Sequence, residues 1–407
     1  MKKSALLTVT VLATLLATPA QAQMSLYDYN RPIGWAIVDG EVTGSNNENP
    51  VRVTTLRELT DALEGSNRST IYIDGTIDFD GLTTIKDASN KTVYGLPGAR
   101  LVNPDTPSDG DESGILLFRD CDNIIIRNIT FEASGAYDID GNDNLCLQDC
   151  QRIWVDHCDF QDGVDGNFDC NHSSDYIAVT WCRFRYLKEP VGGGSGGSDD
   201  HRFSNLWGGD DGHDDSRGHL NTTFYACWWD EGCRERMPRV RFGKVHLLNC
   251  LYSSEVGNYC IGAGYLSNLY VERNAFVGDF NDIWRTNVSN SHPDYHITLT
   301  GNTGASDHQE GDGSDDYFIP SDYYGLEGMP VDNVEAEVGE YAGATLDVEY
   351  GEGVTSGISN VGTSAAEVTA TEYYSPSGTR LAQPQKGINI VRHKMSDGTI
   401  RTRKIMY

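Results

Sequence analysis

Residues 153–160 read IWVDHCDF and residues 177–184 read IAVTWCRF, and these two stretches decide the fold. In each, apolar residues alternate with other residues, as on a buried strand, and the stretch ends in an aromatic residue. Four further stretches of this form end at Phe131, Trp229, Tyr252 and Phe276. The residue two positions before each aromatic gives one column: Ile129, Cys158, Cys182, Cys227, Cys250 and Asn274.

Members of this column follow one another after 29, 24, 45, 23 and 24 residues. A strand-rich repeat of about two dozen residues predicts an all-β parallel solenoid. A sheet with helical crossovers is disfavoured, because no segment between the strands has a 3.6-residue apolar period. Stacked coils lie about 4.8 Å apart, so each column is expected to form a ladder of like side chains in the core.

The ladders offer a use for the ten cysteines that needs no disulfides. Cysteine is small and readily buried, so most of these residues are interpreted as packed thiols. Cys121 with Cys150, and Cys146 with Cys170, stand at equal distances before their aromatics and are predicted to form further ladders. Cys233 and Cys260 lie outside the ladders and are the best candidates for a disulfide.

Residues 1–22 have the form of a secretory signal peptide, with Lys2 and Lys3 before an apolar run and Ala20-Gln21-Ala22 at its end. No later stretch is long and apolar enough for a membrane span. We therefore expect a secreted chain, extracellular or at the cell surface, with residues 23–362 as the solenoid domain. Residues 363–407 differ in composition and are expected to form a tail or a small β module.

Three segments are expected to border the solenoid. Residues 51–63 suggest a strand and then a short helix that caps the open N-terminal end. Residues 192–217 exceed one coil and predict long loops on a binding face, the alternative being a flexible linker. Residues 305–360 are polar, Gly-rich and acidic, and suggest an extended cover.

Charge marks one short segment as unusual. The chain has a formal net charge of −29, which argues against a nucleic-acid partner. Residues 233–244 read CRERMPRVRFGK, and five of these twelve residues are basic. This local excess of positive charge in an acidic chain favours an anion site. If the segment forms a strand, Arg239 and Arg241 would share one face of it. The alternative is an edge strand whose charges prevent aggregation.

Asp143, Asp165 and Asp169 are candidate metal ligands. Carboxylate oxygens suit Ca²⁺, which takes six to eight oxygen ligands in flexible geometry. Counted from their aromatics, Asp143 and Asp169 fall at neighbouring turns of adjacent coils. The alternative is ordinary Asp and Gly turn chemistry.

Several motifs together resemble one known family. They are GWA at 34–36, VTTL at 53–56, DGTI at 74–77, WVDH at 154–157, SDYIAVTW at 174–181 and RMPRVRFGKVH at 236–246. The chain is similar over roughly residues 32–300 to the pectate lyases of polysaccharide lyase family 1, whose fold is a right-handed parallel β-helix. The final motif and WVDH are specific to this family.

The resemblance implies roles for six residues. Asp143, Asp165 and Asp169 match the family's primary Ca²⁺ ligands, and Arg236 matches its proposed catalytic base. Arg241 and Lys188 match the groups that bind the substrate carboxylate, although Leu187 and Glu189 beside Lys188 depart from the family pattern. The residues from 372 to the end resemble sorting tails of proteins exported by type IX secretion systems.

The resemblance implies a Ca²⁺-dependent, monomeric pectate lyase that acts on polygalacturonate by β-elimination and leaves 4,5-unsaturated products. The rival enzyme is a pectin lyase acting on methylated polymer, but related pectin lyases lack the calcium aspartates. A rival from another class is a catalytically silent solenoid that binds pectin or serves as an adhesin. Arg236, Lys188 and the three aspartates argue against silence.

Overall fold

The computed structural model describes residues 31–351, 368–375, 379–386, 388–395 and 400–406. The chain divides into two compact units between residues 355 and 356. The signal peptide predicted for residues 1–22 and the boundary predicted after residue 362 lie outside the described residues.

The first unit is built from three sheets, with strands numbered in chain order. Sheet 1 has eight strands: β4 (Thr83–Lys86), β7 (Leu116–Arg119), β10 (Leu145–Gln148), β13 (Phe168–Asn171), β16 (Leu206–Trp207), β19 (Arg239–Val240), β22 (Gly257–Gly264) and β25 (Phe280–Asn287). Sheet 2 has eleven: β1 (Pro50–Val53), β2 (Ser69–Ile73), β5 (Ser89–Gly95), β8 (Asp122–Arg127), β11 (Gln151–Asp156), β14 (Asp175–Thr180), β17 (Thr222–Tyr225), β20 (Lys244–Leu248), β23 (Asn268–Glu272), β26 (His296–Thr300) and β27 (His308–Gly311). Sheet 3 has eight: β3 (Thr76–Asp78), β6 (Arg100–Val102), β9 (Thr130–Glu132), β12 (Asp159–Gln161), β15 (Arg183–Arg185), β18 (Trp228–Trp229), β21 (Leu251–Tyr252) and β24 (Ala275–Phe276).

The chain visits sheets 1, 2 and 3 in turn, and each new strand pairs in parallel with its counterpart one coil earlier. Among the described strands of these three sheets, β26 with β27 at the end of sheet 2 is the one antiparallel pair. The predicted all-β parallel β-helix is therefore confirmed.

The helices among the described residues are few and short. Two are α-helices, α1 (Leu56–Leu63) and α2 (Val334–Tyr341). Five are 3₁₀ turns: Gly34–Ile37, Gly110–Glu112, Asp214–Ser216, Pro320–Asp322 and Val331–Asn333.

Helix α1 closes the N-terminal end of the solenoid, as the sequence predicts. Thr55 Oγ1 accepts a hydrogen bond from the backbone of Glu58, whose carboxylate in turn accepts one from the backbone of Thr55. This reciprocal cap satisfies donors that a helix start leaves unpaired. Leu59 and Leu63 on the opposite face are fully buried in the solenoid core.

The aromatic column organises sheet 3 and the core behind it. Phe131, Phe160, Phe184, Trp229, Tyr252 and Phe276 pair in register from coil to coil. Neighbouring rings stack with centroids 4.4 to 5.5 Å apart. The cysteine column beside it is buried and unbridged, and the Cys182 thiol donates to the Thr180 carbonyl at 3.4 Å. The predicted ladder of packed thiols is confirmed.

The predicted ladder of Cys146 with Cys170 is wrong by one residue. Cys146 pairs with Asp169, whereas Cys170 pairs with Leu147. The turn after β13, residues 172–174, is one residue longer than the turn after β10, residues 149–150, so counting back from the aromatics loses the register. Cys170 lies in the core, and Cys146 points out of sheet 1 because successive side chains alternate between faces.

The disulfide suggested between Cys233 and Cys260 is also wrong, since both are free, buried thiols. The Cys233 thiol donates to the Phe184 carbonyl at 3.2 Å and accepts from Ser204 Oγ at 3.2 Å. These bonds satisfy Cys233 within its own surroundings, and Cys260 packs in the same apolar core.

Of the segments predicted to border the solenoid, the cover at residues 305–360 is described as far as residue 351. The cover includes α2, which the sequence analysis did not foresee and whose Val334 and Val338 pack in one apolar cluster with Trp181 and Tyr225. The segment that exceeds one coil is not only loop, because it contains β16, a strand of sheet 1.

The second unit contains one antiparallel sheet of four strands. In sheet order these are β29 (Arg380–Leu381), β28 (Val368–Tyr374), β30 (Ile388–Met395) and β31 (Ile400–Met406). Across the described residues, we find no helix with the length and apolar character needed to cross a membrane.

Thiol titration tests the packing of the cysteines. Because all ten are free and buried, a thiol reagent should modify almost none in the native chain and all ten after unfolding in denaturant without reductant. Added reductant should leave Tm unchanged. A count of eight in denaturant would reveal a disulfide and contradict this packing.

Candidate functional site

Carboxylates from two adjacent coils meet on the outer side of sheet 1. Asp143 lies two residues before β10, and Asp169 is the second residue of β13, which pairs with β10. Gly166 lies between them: a Cβ atom there would be 2.6 Å from Asp143 Oδ1 and 3.1 Å from Asp169 Oδ1. The parallel register thus brings together two side chains that the sequence places 26 residues apart.

Asp165, the third predicted ligand, lies close by but is directed towards a different partner. Asp165 Oδ1 lies 2.9 Å from His201 Nε2. His201 is buried and belongs to the segment between β15 and β16. The sequence analysis missed this residue, because a loop side chain carries no periodic signal.

Burial and neighbouring negative charges raise the pKa values of the aspartates in this cluster. Burial, followed by the charges of Asp169 and Asp165, raises the pKa of Asp143 well above its usual range. Burial raises the pKa of Asp169 to about 7, against the opposing effects of Arg236 and of the Leu206 amide. Asp143 Oδ1 is buried and has no hydrogen-bond partner. A cation would stabilise the ionised forms of both carboxylates.

The donor set fits a hard cation such as Ca²⁺, which favours carboxylate oxygens. The fit rests on the unpartnered Asp143 Oδ1 and on the glycine that leaves space between the carboxylates of Asp143 and Asp169. Within the described residues, no group of three His, Cys, Asp or Glu side chains is already arranged to hold a metal ion. Asp165 would have to exchange its contact with His201 to complete the set.

Arg236 lies opposite these carboxylates. Its charge lowers the pKa of both Asp143 and Asp169. Among the described residues, no carboxylate oxygen lies within 4.0 Å of the Arg236 guanidinium, so Arg236 forms no ion pair there. Its guanidinium carbon lies 4.3 Å from the ring centroid of Phe203. Its backbone has φ of +57°, which is uncommon outside glycine, and its carbonyl accepts from the Asn205 amide at 2.7 Å.

Arg239 and Arg241 follow on the same outer face, with Val240 in the core between them. Arg241 is buried, and it donates from Nε to Asp211 Oδ1 at 2.7 Å and from Nη1 to the Gly208 carbonyl at 2.8 Å. Arg239 Nε is buried without a hydrogen-bond partner. The alternative of an edge strand is wrong, because β19 pairs with β16 on one side and β22 on the other.

Lys188 lies beyond the end of β15, at the margin of sheet 3. Its Nζ donates to the Ala133 carbonyl at 2.6 Å, and it lies 3.6 Å from Glu132 Oε1 and 3.8 Å from Asp162 Oδ2. The side chain is therefore held at its ammonium end by acceptors, while nearly half of its surface stays exposed.

The histidines of the WVDH and RMPRVRFGKVH motifs, His157 and His246, do not belong to the acidic cluster. His157 Nδ1 bonds Asp156 Oδ2 at 2.8 Å, and His246 Nδ1 bonds Tyr324 Oη at 3.1 Å. Both are buried; His157 directly follows β11 of sheet 2, and His246 lies within β20 of that sheet. Their predicted structural role is consistent with these contacts.

The chain is similar in sequence to known pectate lyases. A family model described as "Pectate lyase" matches residues 4–345. A pectate trisaccharide-lyase of Thermotoga maritima is 33% identical over 239 residues, which is 55% of this chain and 58% of that protein. The chain thus matches less than two thirds of that relative's length. Pectate lyase A of Aspergillus niger is 27% identical over 345 residues, 83% of this chain and 94% of the relative.

Solved structures show the same fold at lower identity. A pectate lyase bound to a hexasaccharide superimposes with a TM-score of 0.59 at 20% identity, covering 77% of this chain and 96% of that one. A Bacillus subtilis pectate lyase variant gives the same TM-score and coverage.

The acidic cluster predicts a distinctive dependence of stability on pH. Because the pKa of Asp143 is raised well above 3.8 and that of Asp169 is raised to about 7, the folded chain binds more protons than the unfolded chain once the pH exceeds about 4. This contribution to stability is present at low pH and is lost as the pH rises through about 7. Without divalent cations, Asp143→Asn should therefore raise Tm by about 2 °C or more near pH 8, and by less near pH 5.

Thermal unfolding followed by fluorescence measures both values. Calcium should raise the Tm of the wild-type chain more near pH 8 than near pH 5, and should raise that of Asp143→Asn less. Equal pH profiles for the two chains would contradict the assignment.

Proposed function

The chain belongs to the pectate lyase family, and on that premise we propose that it is a secreted, monomeric, Ca²⁺-dependent pectate lyase. Its substrate is α-1,4-linked polygalacturonate, which it cleaves by β-elimination to leave 4,5-unsaturated oligogalacturonates. One observation carries the proposal: Arg236 faces the Asp143 and Asp169 carboxylates across the outer side of sheet 1 without an ion pair. Opposite charges arranged in this way would bind a cation and an anionic sugar together.

Asp143, Asp165 and Asp169 are the residues that would hold Ca²⁺. The bound ion would supply Lewis-acid polarisation of the substrate carboxylate, which would acidify the neighbouring C5–H. The role of the chain itself is to fix the oxygens in place: β13 positions Asp169, and Gly166 leaves the space that the carboxylates share.

Arg236 is assigned to accept the C5 proton. A guanidinium is ordinarily protonated, so this role requires its neutral form. The stacking on Phe203 and the constrained backbone hold the side chain in one position. The rate is expected to rise towards alkaline pH, where the neutral fraction grows.

Arg241 and Lys188 are assigned to bind the carboxylate of the reacting sugar. Their charge offsets the negative charge that develops as the proton leaves. Asp211 and the Gly208 carbonyl fix Arg241 before substrate arrives. Lys188 is long and partly exposed, so it can exchange the Ala133 carbonyl for a substrate oxygen.

A direct assay follows the ultraviolet absorbance of unsaturated uronates released from polygalacturonate, with calcium and with chelator. Absorbance should increase only with calcium, and methyl-esterified pectin should be a poorer substrate because it offers fewer carboxylates. Absence of signal with calcium would sink the lyase assignment, and activity in chelator would sink the calcium role. Preference for the esterified polymer would favour the pectin lyase alternative.

A matched pair of variants tests the base. Arg236→Lys should lower kcat by about 10²- to 10⁴-fold while leaving the fold and substrate binding in place. Arg234→Lys is the control, because Arg234 lies in the same segment and contacts Asp200 at 3.5 Å. Equal losses in both variants, or none in either, would contradict the assignment of Arg236.

A further inference from the structure

Residues 201–206 lie between the coil that carries the carboxylates and the coil that carries the base. On one side, the Leu206 amide donates a hydrogen bond to Asp169 Oδ1 at 2.8 Å. On the other side, the Asn205 amide donates to the Arg236 carbonyl at 2.7 Å. This segment is therefore bonded to both halves of the site.

Two side chains of the segment contact the two halves directly. His201 Nε2 lies 2.9 Å from Asp165 Oδ1. Because a carboxylate only accepts hydrogen bonds, Nε2 carries the hydrogen of this contact. Phe203 presents its ring to Arg236, whose guanidinium carbon is 4.3 Å from the ring centroid. One side chain thus meets a predicted cation ligand, and the other meets the assigned base.

The same two side chains contact each other. The ring centroids of His201 and Phe203 are 4.5 Å apart. The Phe203 amide also donates to the His201 carbonyl at 2.7 Å. Both residues are buried, with 4% and 6% of their surfaces exposed. Closely packed interiors transmit small displacements, so a movement of the imidazole reaches the Phe203 ring.

The backbone of Phe203 is fixed on both sides. The hydroxyl of the buried Tyr186 donates to the Phe203 carbonyl. Phe203 also forms a parallel bridge with Glu235, the residue before Arg236. These contacts leave the Phe203 ring as the part of the residue that sets where the guanidinium lies.

The imidazole of His201 depends on Asp165 for its polar contact. His201 Nδ1 is buried and has no hydrogen-bond partner among the described residues. Asp165 must leave His201 to complete the set of cation ligands, and the imidazole then loses the contact that fixes it.

We propose that His201 and Phe203 form a positioning link between the cation ligand Asp165 and the base Arg236. Without a cation, His201 holds Asp165; when Asp165 turns to calcium, the freed imidazole and the Phe203 ring against it shift and reset the guanidinium. Calcium binding and placement of the base are thereby coupled. This inference rests on the proposed function, which assigns Asp165 and Arg236 their roles, and it adds two residues that act through them.

Two substitutions of His201 separate the ends of the link. His201→Gln keeps a donor for Asp165 and removes the ring that contacts Phe203. His201→Phe keeps a ring and removes the donor. Because the link needs both ends, each variant should lower kcat on polygalacturonate about 10- to 100-fold, as displacement of a reacting group does, and leave KM unchanged.

Calcium affinity, measured by calorimetry without substrate, distinguishes the two variants. His201→Phe should lower the Kd for calcium about fivefold or more, because the ion no longer competes with a hydrogen bond to the Asp165 carboxylate. His201→Gln should leave this Kd unchanged, since glutamine retains the bond. A merely structural role of His201 would not produce this difference.

Phe203→Leu tests the other end of the link. It should lower kcat about 10- to 100-fold without changing the Kd for calcium. Adding His201→Phe to it should lower kcat no further, because the link is already broken. Phe318→Leu is the matched control, since Phe318 is also buried but stacks on Trp35 in a separate apolar cluster; its kcat should be unchanged.

Circular dichroism checks that each variant folds. Unchanged kcat in Phe203→Leu, an equal loss in Phe318→Leu, or losses that multiply in the double variant would overturn the link.

The outcome is separable from that of the lyase assay. An active wild-type chain with unchanged kcat in the His201 and Phe203 variants would refute the link alone. With an inactive wild-type chain, calcium affinity still decides. Tighter binding in His201→Phe but not in His201→Gln would support the link at Asp165 and refute only the reaction, whereas an unchanged Kd in His201→Phe would overturn the link.

Discussion

The crowding of two like charges around one glycine is the constraint on which the proposed site depends. Asp143 and Asp169 approach each other across Gly166, where any larger residue would displace their oxygens. Such an arrangement is unfavourable unless positive charge is near. Arg236 provides part of it, since its charge lowers the pKa of both carboxylates, and a bound cation would provide the rest.

Only the solenoid makes this crowding possible. Parallel pairing stacks β10, β13, β16, β19, β22 and β25 side by side, so that residues from distant parts of the chain enter one outer row. The inner columns of stacked aromatics and thiols hold that register, because a slip of one residue would turn core side chains outward. The acidic and basic ends of the site therefore keep a fixed separation.

The limits of sequence reasoning follow from the same geometry. The aromatic column was predictable because Phe160 and Phe184 end strands of equal form, and it correctly placed Asp143 near Asp169. Counting back from the aromatic residues gave the wrong register for Cys146 and Cys170. The turn after β13 has one residue more than the turn after β10, and the spacing of 24 residues between Phe160 and Phe184 does not reveal this. Asp165 could be named as a ligand, but not its contact with His201, because a long loop has no register.

The central claim is that the cation and the uronate share one site between the aspartates and Arg236, so their binding must be thermodynamically coupled. Titration of hexagalacturonate into the Arg236→Lys chain, in calcium and in chelator, measures that coupling. The account predicts binding at least about tenfold tighter in calcium, within the usual range of coupling, and loss of this difference in an Asp143→Asn background. Equal affinity in calcium and in chelator would contradict it.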